Sequence, residues 1–145
     1  MRVSQRIHID REPKEVFALL SDTPRYPEFL TAMTRWKPMS EKTQGVGARF
    51  RILMKVGSVE VGGIVEVTRW DEDACIEWSA VQGVRQAGRW LVTPSDGGTD
   101  FRVEIDYDIG GGLVGKLVER IAARTITRNL WATLLGARRI IEAGD

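Results

Sequence analysis

Three glycines near the end of the sequence have the spacing of a phosphate-binding loop. Gly110-x-Gly112-x-x-Gly115 matches the pattern in which backbone N–H groups approach a pyrophosphate, and Lys116 stands where a P-loop has its lysine. Neither a dinucleotide-binding loop nor a P-loop fits the surrounding sequence. A P-loop needs a magnesium-binding Ser or Thr where this chain has Leu117, and a dinucleotide-binding loop needs a following strand, whereas only one helical segment follows. The glycines are better explained as a hinge between a strand and a helix, with weak anion capture at the helix start as the alternative.

The chain offers few groups for acid–base, nucleophilic or metal chemistry. It has one Cys and one His, Cys75 and His8, which excludes an internal disulfide and a Cys- or His-rich metal site. His8 falls on the polar face of an alternating segment, so we expect it to be exposed. The available candidates for a catalytic acid or a carbonyl-polarising group are Tyr107, Arg69 and Tyr26, each of which also suits a purely structural role.

Four cations recur at every fourth position: Lys116, Arg120, Arg124 and Arg128. On a helix they would share one face, where like charges at this spacing cost about 0.2–0.5 kcal/mol per pair. A solvated face, or pairing with acids elsewhere in the fold, accounts for them. The alternative is contact with an anionic ligand head group, a membrane surface or ribosomal RNA.

Length and composition indicate one globular domain spanning residues 1–145. Hydrophobic residues make up 43% of the sequence and charged residues 28%, and 21 cations against 20 anions give a net charge of +1. This balance argues against a general nucleic-acid binder. No apolar run reaches the ~18 residues of a membrane span, and the first residues lack the pattern of a signal peptide. The expected location is therefore the cytoplasm.

The elements that must position these side chains are mainly β-strands. Apolar and polar residues alternate from Val3 to Asp10, and they alternate again in a series of segments from Met33 to Ile109. Short turns between these segments force antiparallel neighbours. Two short helical segments follow the first strand, and a helix of about thirty residues follows the glycines. This order predicts an α+β fold with a curved antiparallel sheet of about seven strands.

The long C-terminal helix has two apolar faces rather than one. Leu113, Leu117 and Ile121 fall on a side rotated by more than about 90° from the side of Leu130 and Leu134. We expect the second half to pack on the sheet while the first half faces something else. The first half either bends around a second part of the core or covers the mouth of an internal cavity.

Several segments resemble one superfamily. The run Asp10-x-x-Pro13-x-x-Val16-Phe17-x-Leu19-Leu20-x-Asp22-x-x-x-Tyr26-Pro27-Glu28-Phe29-Leu30 is similar to the opening of START-like (SRPBCC) proteins of the polyketide cyclase/dehydrase branch. Gly88-Arg89-Trp90, Gly98-Thr99-Asp100-Phe101 and the glycine-rich entry to the terminal helix are similar too. Tyr26 to Leu30 also resembles the coenzyme Q-binding branch. The resemblance covers nearly the whole chain.

The resemblance implies a helix-grip fold with a hydrophobic cavity between the sheet and the C-terminal helix. Strand alternation and the first apolar face of the helix then predict the residues that line the cavity. They are Phe50, Ile52, Met54, Val61, Val65, Val67, Ile76, Trp78, Trp90, Phe101, Val103, Ile105, Tyr107, Leu117 and Ile121.

Three functions fit this sequence. The first is binding, transport or sequestration of a small hydrophobic, polycyclic or lipid ligand, with no metal, nucleotide or other cofactor and no nucleic-acid partner. The second is a polyketide aromatase/cyclase in which Tyr107 or Arg69 polarises a carbonyl. The third is an interaction module that contacts the ribosome or a membrane surface through the basic helix face.

Overall fold

The alternating segments form seven strands of one antiparallel sheet, followed by a long helix. A computed structural model describes residues 1–144 of the chain. Its strands are β1 (Arg2–Ile9), β2 (Met33–Pro38), β3 (Arg49–Val56), β4 (Val59–Asp71), β5 (Cys75–Gly83), β6 (Arg85–Ser95) and β7 (Gly98–Asp108). Its helices are α1 (Pro13–Ser21), a short 3-10 helix (Thr23–Glu28) and α2 (Gly112–Ala143).

The strands follow the order β1-β7-β6-β5-β4-β3-β2, and every neighbouring pair is antiparallel. The turns between β3 and β4 and between β5 and β6 therefore lie at the same end of the sheet as the end of β7. We call this end the hairpin end. The turns between β4 and β5 and between β6 and β7 lie at the opposite end.

The two short helices close the end of the sheet opposite the hairpin end. α1 begins at Pro13, whose fixed φ suits the first helical position, and the Glu15 carboxylate accepts a hydrogen bond from the Glu12 N–H at 3.1 Å. Its apolar face, which includes Phe17 and Leu20, is buried against β6 and β7. Pro24 and Pro27 restrict the next segment to a single short 3-10 helix, as expected from the sequence.

The two halves of α2 are packed differently. The second half buries Leu130, Leu134 and Ala137 against the core, mainly along β1. In the first half, through Ile121, only Gly115 and Glu119 are buried among the described residues. The sheet with its long terminal helix confirms the predicted helix-grip architecture. No helix among residues 1–144 is both long enough and apolar enough to cross a membrane.

Two adjacent glycines in β4 let the neighbouring strands approach closely. A Cβ atom on Gly62 would overlap the carbonyl oxygen of Ile52 in β3, and one on Gly63 would overlap that of Gln82 in β5. The backbones of β3 and β5 therefore approach β4 more closely than a side chain at position 62 or 63 would permit. A register shift lies just beyond the glycines, between Ile64 and Val65.

Candidate functional site

Part of the concave face of the sheet is left uncovered by α2. The helix packs along β1, with weaker contact to β7 and β3, and makes little contact with β4, β5 or β6. Near the hairpin end, the inward-facing residues of these strands and their neighbours are consequently only half-buried. We call this region the open concave face; it comprises Met54, Val61, Trp78, Ala80, Gln86, Gly88 and Ile105.

An aromatic cluster forms the floor beside the open concave face. The Trp78 ring lies against Gly88 of the neighbouring strand, where a Cβ atom would overlap the indole. The ring centroid of Trp78 is 5.6 Å from that of Trp90, which is in turn 5.6 Å from that of Phe101. Trp90 is only 3% exposed, so its side chain faces inward. An apolar molecule on the open face would therefore meet an aromatic surface.

A second stack continues the aromatic surface toward β2. Trp36 lies between Tyr26 and Phe50, with ring centroids 4.9 Å and 4.3 Å from its own. Its indole Nε1 is buried and has no hydrogen-bond partner among the described residues. An unpaired buried donor is unfavourable by about 1–3 kcal/mol, so a ligand oxygen or a water molecule placed there would be stabilising.

The predicted lining residues separate into three groups. Those on the strands whose side chains are buried belong to the closed core: Phe50, Ile52, Val65, Val67, Ile76, Trp90, Phe101, Val103 and Tyr107. Met54, Val61, Trp78 and Ile105 are half-buried and belong to the open concave face. Leu117 and Ile121 are 59% and 68% exposed, because the first half of α2 turns its apolar side chains away from the sheet. These two residues do not line a cavity in this structure.

The structure places Arg69 on the outer face of the sheet. A register shift between Val67 and Arg69 reverses the alternation, so Arg69 lies beside Glu77 and the next residue, Trp70, points inward. The guanidinium pairs with Asp71 at 2.7 Å and with Glu77 at 3.2 Å, and the hydrogen bond to Asp71 raises the pKa of Arg69. Arg69 is therefore unable to polarise a carbonyl on the concave side.

The two tyrosine hydroxyls are engaged in the fold. Tyr26 donates a hydrogen bond to the Leu20 carbonyl at 2.6 Å, and Tyr107 donates one to the Glu119 carbonyl at 2.7 Å. Burial raises the pKa of both hydroxyls, and for Tyr107 the Glu119 charge adds to the effect. Each hydroxyl carries one proton, so neither has a second hydrogen bond to donate to a substrate carbonyl in this arrangement.

Replacing Tyr26 with Phe should lower stability at neutral pH by about 1–2 kcal/mol, because the buried Leu20 carbonyl loses its partner. Above pH ~10 the difference should shrink. The raised pKa keeps Tyr26 protonated in the folded protein while the unfolded chain ionises, so the wild type loses about 1.4 kcal/mol per pH unit that the variant does not lose. Urea unfolding of both proteins at pH 8, 10 and 11 measures this; parallel pH profiles would contradict it.

The glycine-rich segment borders a small polar concavity at the start of α2. It has a volume of about 410 Å³ and is lined by Met1, Asp108, Gly110, Gly112, Lys116 and Glu119. Glu119 accepts a hydrogen bond from the Ile109 N–H at 2.9 Å and lies 3.8 Å from the amino group of Met1. Two carboxylates, Asp108 and Glu119, share this space with two cations, Lys116 and the Met1 amino group, so the charges balance and give a phosphate no net attraction.

The single His and the single Cys lie away from the open concave face. The His8 side chain is 43% exposed on the outer side of β1, with Nε2 3.1 Å from Asp10. Cys75 is buried and free, and burial raises the pKa of its thiol. No group of three or more His, Cys, Asp or Glu side chains among residues 1–144 is arranged to hold a metal ion.

Sequence reasoning missed three residues of the open concave face: Ala80, Gln86 and Gly88. Each faces inward beside a predicted lining residue. Ala80 follows Trp78 on the same face of β5, Gln86 pairs with Tyr107, and Gly88 pairs with Ile105. Strand alternation carried the signal for all three. Small and amide side chains give no hydrophobic signal of their own, yet they make the space and its polar edge on this face.

Comparison with known proteins identifies one matching family. A family model described as polyketide cyclase/dehydrase and lipid transport matches residues 1–142. No curated protein matches the sequence significantly.

Several solved structures share the fold at low sequence identity. TTHA0849 from Thermus thermophilus is 19% identical with a TM-score of 0.85, over 99% of this chain and 98% of that one. A START superfamily protein from Mycobacterium smegmatis is 18% identical with a TM-score of 0.77, over 99% of both chains. The Zhui aromatase/cyclase from a Streptomyces species is 16% identical with a TM-score of 0.74, over 96% of this chain and 94% of that one.

Proposed function

Because the chain belongs to the polyketide cyclase/dehydrase and lipid transport family, we propose that it binds a small hydrophobic ligand on the open concave face. The ligand lies against Trp78 and Ile105, where α2 leaves the sheet uncovered. Binding, with transport or sequestration of the ligand, is the function itself. The chain acts in the cytoplasm and needs no cofactor.

The observation that carries the proposal is the mismatch between α2 and the sheet. An antiparallel sheet with an apolar concave face needs a cover, and α2 packs mainly along β1, with weaker contact to β7 and β3. Met54, Val61, Trp78 and Ile105 are left half-buried beside a closed aromatic core. Burying this surface under a ligand would contribute roughly 25 cal/mol per Å² of apolar area.

The side chains at the site define the kind of ligand. Indole faces at Trp78 suit flat rings or the side of an acyl chain, and such contacts depend on area rather than on a charged partner. The polar groups nearby are few: the Gln86 amide on the open face and the unpaired Trp36 N–H deeper in the core. We therefore expect a neutral ligand with one or two oxygen atoms, such as a polycyclic aromatic compound or a lipid.

The aromatase/cyclase alternative has less support from the side chains. The Zhui enzyme shares the fold, but at 16% identity this likeness does not extend to an active site. Of the candidate groups, Arg69 is paired on the outer face and the hydroxyls of Tyr26 and Tyr107 already donate to backbone carbonyls. No other acid–base pair among the described residues faces the open concave face.

Two measurements on the purified wild-type protein test the proposal. Native mass spectrometry should show a co-purified lipophile, released on denaturation. After that ligand is extracted, the neutral probe N-phenyl-1-naphthylamine should bind with a dissociation constant in the micromolar range and become fluorescent. A protein that emerges empty and takes up none of the probe would contradict ligand binding.

A further inference from the structure

The hairpin end of the molecule exposes an unusual concentration of apolar side chains. Among residues 1–144, eight large apolar residues there are 44–87% exposed, whereas only Met39, Val46 and Trp131 are comparably exposed away from that end. We call the eight residues the apolar rim; they are Val59, Val81, Ile109, Leu113, Val114, Leu117, Val118 and Ile121. Exposed apolar surface on this scale marks an interaction site rather than ordinary surface.

The rim is contributed by three strand ends and one helix that the topology brings together. Val59 lies at the β3–β4 turn, Val81 near the end of β5 and Ile109 just after β7, all at the hairpin end. The other five residues occupy the first turns of α2, where i, i+4 spacing makes them one continuous stripe. Glu119 fastens this part of the helix to the Ile109 backbone, so the stripe is held facing outward.

Cations follow the apolar stripe along the same helical face. Seven residues make about two helical turns, so Arg124 lies on the same side of α2 as Leu117, and Arg128 lies on the same side as Ile121. Lys116 and Arg120 flank the stripe. At the same end of the sheet, Lys55 of β3 and Arg85 of β6 add two more exposed cations. The apolar rim is therefore bordered by exposed cations, which we call the basic collar; they are Lys55, Arg85, Lys116, Arg120, Arg124 and Arg128.

These six cations have no carboxylate partner within 4.0 Å among residues 1–144. The acids at the hairpin end are engaged elsewhere. Asp106 pairs with Arg2, Asp108 accepts the Gly110 N–H, and Glu119 is buried. Glu60 accepts a hydrogen bond from the Thr34 hydroxyl. The collar is thus available to an external anion.

We propose that the apolar rim and its basic collar dock the protein on an anionic phospholipid bilayer. An apolar stripe beside Lys and Arg is the pattern of a helix that lies at the membrane interface, where apolar side chains enter the acyl boundary and cations meet phosphates. Docking at the hairpin end would bring the open concave face to the lipid. The inference goes beyond the proposed function and does not require it.

A second copy of this chain is a poorer occupant of the same surface. Two-fold association through the rim would bring six unpaired cations of one copy toward six of the other, and like charges oppose such an interface. RNA would engage the collar but would leave Leu113, Val114 and Leu117 in water. An anionic bilayer satisfies both the apolar and the cationic parts.

Vesicle flotation of the full-length protein tests the proposal. We expect binding to vesicles of phosphatidylglycerol and phosphatidylcholine, weaker binding to phosphatidylcholine alone, and loss of binding as salt is raised. The variant Arg120→Glu/Arg124→Glu should bind at least about 30-fold more weakly, and Leu117→Gln/Ile121→Gln about tenfold more weakly. All four side chains are exposed, so both variants should fold as the wild type does, which circular dichroism and thermal unfolding verify.

The matched control reverses two exposed cations at the other end of the molecule, Lys14 and Arg139. Lys14→Glu/Arg139→Glu carries the same net charge as Arg120→Glu/Arg124→Glu and should keep most of the vesicle binding. Equal loss in both charge variants would overturn the proposal, as would wild-type affinity in Leu117→Gln/Ile121→Gln. Failure of the wild-type protein to bind anionic vesicles would also overturn the proposal. This holds whether the wild type instead forms a dimer that Leu117→Gln/Ile121→Gln disrupts or binds ribosomal RNA.

Discussion

Replacing Trp90 with Ala should destabilise the protein by about 3–5 kcal/mol, which corresponds to a fall in melting temperature of about 10–20 °C. Trp90 is 3% exposed, and its ring lies 5.6–6.3 Å, centroid to centroid, from those of Tyr26, Phe29, Trp78 and Phe101. Two of these rings come from β5 and β7 and two from the segment after α1, and no single residue refills the space that the indole leaves. Thermal and urea unfolding followed by circular dichroism measure the effect.

Trp131→Ala is the matched control for this prediction. Its indole is 40% exposed on the middle of α2, so its loss should reduce stability by about 1 kcal/mol or less. If Trp90→Ala does not fold, Trp90→Phe retains a ring at the centre of the cluster and should be only partly destabilised. Similar stabilities for the alanine variants at positions 90 and 131 would contradict the aromatic cluster as the core of the fold.

Replacing Ala80 with Phe should weaken binding of N-phenyl-1-naphthylamine by about 10- to 100-fold. Ala80 faces the concave side next to Trp78, opposite Val65, and its methyl group leaves room where α2 does not cover the sheet. A phenyl ring there occupies the space that the proposal assigns to the ligand. Because this region is half-buried rather than closed, the protein itself should lose little stability.

Ala87 provides the control for Ala80. It is also a half-buried alanine, but it lies on the outer face of β6, between Ser79 and Asp106. Ala87→Phe introduces the same ring on the other side of the sheet and should leave the affinity for the probe unchanged. Wild-type affinity in Ala80→Phe, or the same loss in both variants, would be inconsistent with a ligand on the open concave face.

Most of the sheet could be predicted from the sequence because alternation of apolar and polar residues is local. In β7, Phe101, Val103, Ile105 and Tyr107 all face inward as their spacing predicts. The resemblance to START-like proteins supplied the remaining topology. Alternation and this resemblance together therefore predict the helix-grip fold.

Alternation fails where one residue is added to one strand only. The register shift after Val67 sends Arg69 outward and Trp70 inward, where Trp70 meets Phe17 edge-on at 5.7 Å between ring centroids. Such a shift depends on how two strands pair, and a single-residue change of phase moves every later side chain to the opposite face. The sequence of β4 alone does not contain that information.

The candidate site depends on where α2 lies relative to the sheet. The two faces of α2 predicted that its halves have different surroundings, but the pattern did not distinguish a cover over a cavity from a surface in solvent. That distinction requires the relative position of helix and sheet. The sequence pattern predicts Leu117 and Ile121 in the interior, whereas the structure exposes both on the apolar rim.

The most direct test of ligand binding on the open concave face is the set of five indole N–H signals in a ¹H–¹⁵N spectrum. On titration with N-phenyl-1-naphthylamine, we expect the largest shift at Trp78, smaller shifts at Trp90 and Trp36, and none at Trp131 on the exposed side of α2. A Trp78 signal that stays in place while the probe binds and Trp131 moves would show that the ligand occupies another surface.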